Sequence, residues 1–332
     1  MKIKGKKKYL IAGSMFAAGL VIFLIGFSIV GFNISRISTV SPYEEKEFTE
    51  SKEVSHIQVD VENLAIEFAS TKENELHIQY FENKEITYLI ENTGGNLQIK
   101  QQDHSKWYNQ FFVIDWDMRN KTMVISIPEN FEGNIDIKTS NASVELSEIN
   151  IEKLIARSSN GKININNLSV RDDLDIKTSN SSINLENVQI TGDAQIRTGN
   201  GAITLKDIDI KGESICSTSN ASINLMNLSA KDLNLQTDNG KIDLKNTTVR
   251  KGILADTSNN SILLDDVDVG ETIICTTSNG GIKGTIIGAM EDFSITSQTS
   301  NGNNNLPTDT NKGEKTARFK TSNSSIQVNF TK

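Results

Sequence analysis

The chain has 332 residues, of which 36% are hydrophobic and only three are proline. That length allows one large domain or two ordinary ones. The net charge of -8 is unevenly spread, because residues 1–33 carry five lysines and no acid, which leaves -13 for the rest. An acidic body lacks the positive surface that neutralises phosphates, so we do not expect nucleic acid as a partner.

The first predicted element is a membrane-spanning helix at residues 10–32, preceded by a basic tail at residues 1–9. The 23 residues from Leu10 to Phe32 carry no charge, enough to cross a hydrocarbon core of about 30 Å. The preceding lysines should stay in the cytoplasm, which places the body outside the cell. A cleaved signal peptide is the alternative, although the apolar run exceeds the 7–15 residues usual for one. We therefore predict a single-pass anchor in the cell membrane.

Residues 33–53 are polar and acidic and are predicted to form a linker. Residues 54–133 alternate apolar and polar side chains, which predicts strands at His56–Val61, Leu64–Phe68, Leu76–Tyr80 and Met123–Ile127. An aromatic cluster in this region is either a sugar-stacking platform or the core of an N-terminal β cap. We favour the cap, because an open solenoid end must be covered. The cluster comprises Trp107, Tyr108, Phe111, Phe112 and Trp116.

Residues 134–332 contain a repeat of about 20 residues. A tetrapeptide with a central asparagine, usually preceded by Thr-Ser, recurs ten times at intervals of 19 to 22 residues. Such a period is typical of solenoids, in which each repeat stacks on its neighbours. The asparagines are Asn141, Asn160, Asn180, Asn200, Asn220, Asn239, Asn259, Asn279, Asn301 and Asn323.

The apolar residues of each copy keep register with the asparagine. One lies four positions before it, as at Ile176, and a pair lies three and five positions after it, as at Ile183 and Leu185. Another pair follows, and each pair has the two-residue period of a strand with one buried face. We therefore predict an all-β, single-stranded β-solenoid (β-helix) of about ten rungs, each with three short strands and polar corners such as Asn187.

The repeated asparagines are predicted to be architectural. Counted from the buried position four residues earlier, the strand period turns both the threonine and the asparagine toward the interior of the coil. Stacked asparagine side chains can hydrogen-bond from rung to rung, which gives an interior ladder beyond the reach of a ligand. Its predicted members are Asn141, Asn160, Asn180, Asn200, Asn220, Asn239, Asn259 and Asn279.

One outward column is basic in four successive rungs, three positions before each asparagine. Cations about 4.8 Å apart repel each other by roughly 1 kcal/mol in water, so anions should lie nearby. These are either the neighbouring Asp136 and Asp175 or an anionic polymer. This basic stripe is the candidate binding site: Lys138, Arg157, Lys177 and Arg197.

The two cysteines, Cys216 and Cys275, occupy equivalent positions three rungs apart. About 14 Å should separate them, which exceeds the reach of a disulfide. We expect two buried, unpaired thiols, a usage that suits a bacterial surface where disulfides are not the routine staple.

A polysaccharide-acting β-helix enzyme is the competing function class. All three histidines precede the rungs, and the rungs contain few aromatic residues and no long insertion before Ser300–Lys315. Carboxylates on neighbouring rungs suit glycoside hydrolysis or Ca²⁺ binding, but their column positions differ. We therefore predict no enzymatic activity, no cofactor and no metal site. The acids considered are Asp243, Asp256, Asp265, Asp266 and Asp268.

The segment Ile125–Asn141 reads Ile-x-Ile-Pro-Glu-x-Phe-x-Gly-x-Ile-x-Ile-x-Thr-Ser-Asn, and rungs of Thr-Ser-Asn-Gly-x-Ile-x-Leu follow it. Over most of residues 54–332 this pattern resembles the bacterial putative-adhesin family of unknown function, the LiaG-like β-solenoid proteins. The resemblance implies a cell-envelope location and, in some relatives, a link with envelope stress. It brings no catalytic or ligand residues.

These features predict a membrane-anchored, non-enzymatic, adhesin-like interaction module of the cell envelope. Its partner would be an envelope protein or an anionic wall polymer. A solenoid offers a long surface for binding, yet the same feature suits a passive structural spacer, which remains an alternative. The sequence leaves the oligomeric state open.

Overall fold

The structure is a computed structural model that describes residues 3–29, 31, 41–105 and 121–331. It divides into two compact units. Unit 1 comprises residues 1–45, 81–87 and 102–120, and unit 2 comprises residues 46–80, 88–101 and 121–332.

The described part of unit 1 contains one helix, α1, at Ile3–Ile29. The stretch Ala12–Ile29 is long and apolar enough to cross a membrane, a property that an anchor and a signal sequence share. The helix begins inside the basic tail, because lysine is a good helix former. The predicted aromatic cluster lies outside the described residues, so its assignment to a cap remains a prediction: Trp107, Tyr108, Phe111, Phe112 and Trp116.

The described residues contain 26 strands and a short 3-10 helix at Met290–Asp292. All four strands predicted before residue 134 are present. The strands are β1 Glu44–Glu50, β2 His56–Val61, β3 Ala65–Thr71, β4 Leu76–Glu82, β5 Ile86–Thr93, β6 Asn96–Asp103, β7 Thr122–Pro128, β8 Asn134–Thr139, β9 Val144–Ile151, β10 Lys153–Ser158, β11 Ile163–Val170, β12 Leu174–Thr178, β13 Ile183–Ile190, β14 Ala194–Thr198, β15 Ile203–Ile210, β16 Glu213–Thr218, β17 Ile223–Ala230, β18 Asp232–Thr237, β19 Ile242–Val249, β20 Gly252–Thr257, β21 Ile262–Val269, β22 Thr272–Thr277, β23 Ile282–Ile287, β24 Phe293–Thr299, β25 Lys315–Thr321 and β26 Ile326–Thr331.

The strands form a β-solenoid, as predicted, with about nine turns where about ten were expected, and it is built from two 13-stranded sheets. Sheet A has the order β1-β4-β7-β3-β9-β11-β13-β15-β17-β19-β21-β23-β26, and sheet B has the order β24-β25-β22-β20-β18-β16-β14-β12-β10-β8-β2-β6-β5. Consecutive turns stack in parallel and in register, as Ile163 does on Ile183. Each turn comprises a sheet B strand, an asparagine turn and a sheet A strand.

Each turn has two strands, and the prediction of three is wrong. In β13 both predicted apolar pairs belong to one eight-residue strand, in which Ile183, Leu185, Val188 and Ile190 are buried. The strand bends between the pairs at Asn187, whose φ of 57° lies in the left-handed region. Asparagine and aspartate tolerate this region, which explains the polar corner. The same bend occurs at Glu148, Asn167, Asn187, Asp207, Asn227, Asn246 and Asp266.

The residue after the repeated asparagine alternates along the stack between glycine and a residue with a side chain. A Cβ on each of these glycines would overlap a carbonyl oxygen of the preceding turn. Each glycine N–H also donates to the threonine or serine hydroxyl three residues earlier. The structural period is therefore two turns. In spatial order the position reads Ala142, Gly161, Ser181, Gly201, Ala221, Gly240, Asn260, Gly280, Ser324 and Gly302.

Both ends of the solenoid depart from chain order. β2 lies between β6 and β8, and β3 lies between β7 and β9. At the other end β25 lies between β22 and β24, while β26 pairs with β23. The repeat copy around Asn301 thus supplies a single strand, β24, and the last complete turn is β25–β26.

Residues 300–314 cover open strand edges at the end of the last turn. Thr310 N–H donates to the Ile295 carbonyl at 2.8 Å. The Asn305 side chain accepts the Val328 N–H at 3.0 Å and donates to the Val328 carbonyl at 2.9 Å. Leu306 is buried beside them. Unpaired edges template association with other chains, so this insertion acts as the C-terminal cap.

The interior of the coil is a narrow aliphatic column. Cys216 and Cys275 belong to it, and both are buried and free, as expected. Burial raises the pKa of each thiol to about 12. The thiols therefore remain protonated and act as small apolar side chains.

Candidate functional site: the outer face of sheet B

The asparagine side chains are linked from turn to turn, but on the outside of the coil. Asn200 donates to Asn180 Oδ1 at 2.7 Å and accepts from Asn220 Nδ2 at 2.7 Å, and all three residues are exposed. The predicted interior location is wrong, because the sheet B strand ends at the threonine and the turn interrupts its two-residue period. These bonds connect Asn141, Asn160, Asn180, Asn200, Asn220, Asn239, Asn259, Asn279, Asn323 and Asn301.

The threonines two positions before these asparagines are buried, as expected, except Thr299 in the last strand of sheet B, which is half-buried. Thr237 Oγ1 donates to the Ala221 carbonyl at 3.1 Å and accepts the Gly240 N–H at 3.1 Å. A buried hydroxyl with both a donor and an acceptor partner stabilises the turn instead of destabilising the core.

The basic stripe runs along the outer face of sheet B. Register places Lys138 beside Arg157, then Lys177, then Arg197. Lys138 pairs with Asp60 at 3.2 Å, and Arg157 pairs with Asp175 at 2.6 Å. Across the described ranges, Lys177 and Arg197 make no ion pair. Half of the stripe is therefore neutralised within the chain, and two cations remain available.

A second charged column, here the acidic column, lies seven positions before the asparagines and was missed from the sequence. Asp173 Oδ1 accepts the Asp193 N–H at 3.0 Å, and Asp193 Oδ1 accepts the Glu213 N–H at 2.8 Å. The Asp193 N–H, with the Lys153 ammonium, lowers the pKa of the Asp173 carboxyl. The sequence did carry a signal for this column, because an acidic residue stands seven positions before the asparagine in four successive copies of the repeat. The column comprises Asp173, Asp193, Glu213 and Asp232.

The central column lies between the acidic column and the basic stripe, five positions before each asparagine. Leu254 in this column is 41% exposed, a large value for leucine on the face of a sheet. It lines a shallow groove of about 290 Å³ where Gly252 leaves space on the surface. From β10 to β22 the column reads Ile155, Asp175, Gln195, Ile215, Asn234, Leu254 and Ile274.

The acids considered for catalysis are divided between the two sheets. Asp256 lies on sheet B, whereas Asp243, Asp265, Asp266 and Asp268 lie on sheet A. Asp243 is paired with Lys241 at 2.6 Å. Among the residues that the structure describes, no group of three or more His, Cys, Asp or Glu side chains is placed to hold a metal ion.

The Toastrack DUF4097 family model matches residues 54–221 and 172–330, which together span most of the chain. The chain belongs to this family. Its Toastrack solenoid includes both charged columns and the central column. No curated protein is significantly similar to the chain.

Three solved structures are similar to this Toastrack chain. A putative lipid binding protein from Parabacteroides distasonis is 16% identical with a TM-score of 0.40, over 86% of this chain and 97% of that one. A putative adhesin from the same organism is 10% identical with a TM-score of 0.41, over 87% and 98%. A putative adhesin from Bacteroides fragilis is 12% identical with a TM-score of 0.35, over 88% and 100%. At these values the similarity carries no argument about a ligand.

Proposed function

We propose that this Toastrack chain is a membrane-anchored, non-enzymatic interaction module of the bacterial envelope. The observation that supports this proposal is the composition of the outer face of sheet B. There, Lys177 and Arg197 have no ion-pair partner in the part of the chain that the structure describes, and Leu254 is exposed on the same face three turns beyond Arg197. Exposed apolar area with unneutralised charge at its margin is typical of interaction surfaces.

The anchor and its orientation are part of this proposal. The apolar stretch of α1 follows five lysines, whereas Arg36 is the one basic residue between it and the glutamates that begin at Glu44. The excess of lysine on one side favours a cytoplasmic N-terminus and a solenoid outside the cell.

The expected partner class is an envelope protein or an anionic wall polymer. Lys138 and Arg157 are already paired, so polymer binding at the basic stripe would depend chiefly on Lys177 and Arg197. One exposed and one half-buried cation at the surface give a weak, salt-sensitive attraction. A passive spacer would have no need for such a face.

The test is a pull-down from envelope extract with the full chain in lipid nanodiscs. We expect a specific protein or polymer to be retained, and expect Lys177→Glu with Arg197→Glu to abolish retention. The matched control reverses Lys162 and Lys283, two exposed lysines off this face without an ion pair among the described residues. Retention no better than that of empty nanodiscs, or equal loss in both variants, would contradict the proposal.

A further inference from the structure

We infer that the outer face of sheet B binds the same face of a second copy of this chain, with the two solenoids parallel and side by side. The inference rests on the proposed function in that both copies stand in one membrane with the same orientation. The inference thus names a second copy of the chain as the partner of the outer face of sheet B.

The three columns have the arrangement that a two-fold axis requires. The acidic column and the basic stripe lie at equal distances, two residues each, on either side of the central column. A two-fold axis parallel to the solenoid axis and along the central column places each central residue opposite its own copy. The same axis places the acidic column of one copy opposite the basic stripe of the other.

Of the four charges that meet across this axis, only Asp173 has an ion-pair partner among the described residues, Lys153 at 3.2 Å. Asp193 comes opposite Arg197 of the second copy, and Asp173 comes opposite Lys177. Arg197, Lys177 and Asp193 have no ion pair within the described ranges. Each contact occurs twice by symmetry, so two residue pairs give four ion pairs.

The central column is also compatible with meeting its own copy. Its aliphatic members Ile215, Leu254 and Ile274 would pack across the axis, at the roughly 10 Å separation of face-packed sheets. Asn234 carries a side-chain amide that both donates and accepts, so it can hydrogen-bond to itself across the axis. Asp175 would face a like charge, but Arg157 neutralises it at 2.6 Å.

The opposite arrangement of two copies is disfavoured by the same charges. An antiparallel pair centred between β14 and β16 would bring Asp193 opposite Glu213 and Asp173 opposite Asp232. Four like-charge contacts would then replace four attractive ones.

The interface is modest in size. Eight turns of five-residue strands cover roughly 600 Å² per copy at the usual strand spacings. That is somewhat below the ~800 Å² per partner of a standard interface. Confinement of both copies to one membrane raises their effective concentration, so we expect the dimer to form there.

Cysteine cross-linking of the full chain in proteoliposomes tests the two-fold axis. Asn234→Cys lies on the axis, and Met226→Cys is an exposed control on sheet A of the adjoining turn. The native thiols are buried and will not react. With a short bifunctional thiol cross-linker, which spans the roughly 10 Å between face-packed sheets that a disulfide cannot, we expect at least tenfold more cross-linked dimer from N234C than from M226C. Equal yields would overturn the inference.

A charge swap in the N234C background tests the register. Arg197→Asp alone places two acids opposite each other and should reduce the dimer at least tenfold, whereas adding Asp193→Arg should restore it. The Asp193 side chain also accepts the Glu213 N–H, so its replacement removes a hydrogen bond within the fold. All variants are therefore compared under conditions in which circular dichroism shows that they are folded. Failure of the double variant to restore the dimer overturns the parallel register. If cross-linking fails while envelope pull-down still depends on Lys177 and Arg197, the second copy is excluded and the proposed function stands.

Discussion

Gly201 stacks on Ser181 so closely that a Cβ on Gly201 would overlap the Ser181 carbonyl oxygen. The Gly201 N–H donates to Thr198 Oγ1 at 3.2 Å, a bond that fixes this turn in its compact form. The next turn in the stack carries Ala221 at the same position. The glycine positions are thus fixed by close backbone approach, and only every second turn requires one.

Replacement of Gly201 by alanine should therefore destabilise the solenoid, whereas the reverse change one turn away should not. We expect G201A to lower the free energy of unfolding by about 2 kcal/mol or more, because backbone must move to admit the methyl group. Ala221→Gly should cost less than about 1 kcal/mol, from chain entropy alone. Denaturant unfolding of both variants measures the difference, and equal losses would contradict the alternation.

Thr247 occupies a core position that holds an aliphatic residue in neighbouring turns. It is fully buried, and its hydroxyl donates only to the Lys245 carbonyl at 3.3 Å. Thr247→Val keeps the shape and removes this poorly satisfied group, so we expect a gain of about 1 kcal/mol. The same substitution at Thr237 removes two hydrogen bonds and should destabilise by about 1–2 kcal/mol. Thermal melts of T247V and T237V should shift in opposite directions.

The exposed asparagine ladder should contribute to stability according to the number of bonds each member makes. Asn200 takes part in two side-chain bonds to its neighbours, whereas Asn301 at the end of the stack makes one. At about 1 kcal/mol per bond, Asn200→Ala should cost roughly twice as much as Asn301→Ala. Chemical denaturation gives both values, and a larger loss at Asn301 would show that the ladder bonds do not set the cost.

The Asn305 side chain should limit aggregation. It occupies the N–H and C=O of Val328 on the edge strand β26. Asn305→Ala would free that edge to pair with other chains. We expect faster light-scattering growth on mild heating than for Asn303→Ala, whose side chain is exposed. Indistinguishable growth would indicate that backbone contacts alone protect the edge.

The charge of Asp173 should stabilise the fold at neutral pH. The pKa of this carboxyl is lowered in the folded state, first by the Asp193 N–H and then by Lys153. A lowered pKa contributes stability above the unfolded value of about 3.9, and that stability is lost as the pH falls. The Tm of the wild type should therefore exceed that of Asp173→Asn at pH 7, and the gap should close below about pH 4. A difference in Tm that grows as the pH falls below about 4 would contradict this prediction.

Much of the fold could be predicted because each turn repeats the same local pattern. The period of 19 to 22 residues gave the stacked turns, and strict alternation located β2 at its observed bounds, His56–Val61. The number of strands per turn could not be found in this way. A strand bent at a left-handed residue such as Asn187 gives the same pattern of apolar pairs as two strands with a corner between them.

Other features depend on contacts between distant parts of the chain. β25 lies between β22 and β24, although β24 comes before β25 in the chain. This departure from chain order leaves no trace in the local pattern of apolar and polar residues. The basic stripe was visible as residue types, but its partial neutralisation was not, because Lys138 pairs with Asp60, 78 residues away. The acidic column was visible in principle, because Asp193 and Glu213 share one offset from their asparagines.

In the proposed arrangement the solenoid stands outside the cell and a partner occupies the outer face of sheet B. Leu254 and Met226 are matched probes, because they are 41% and 40% exposed and lie on sheets B and A. Cells that carry the full chain with Leu254→Cys or Met226→Cys would be labelled with a membrane-impermeant maleimide. We expect M226C to label and L254C to be protected until Lys177→Glu and Arg197→Glu are added. Equal labelling of both cysteines in intact cells, or labelling of neither until the cells are broken, would contradict the account.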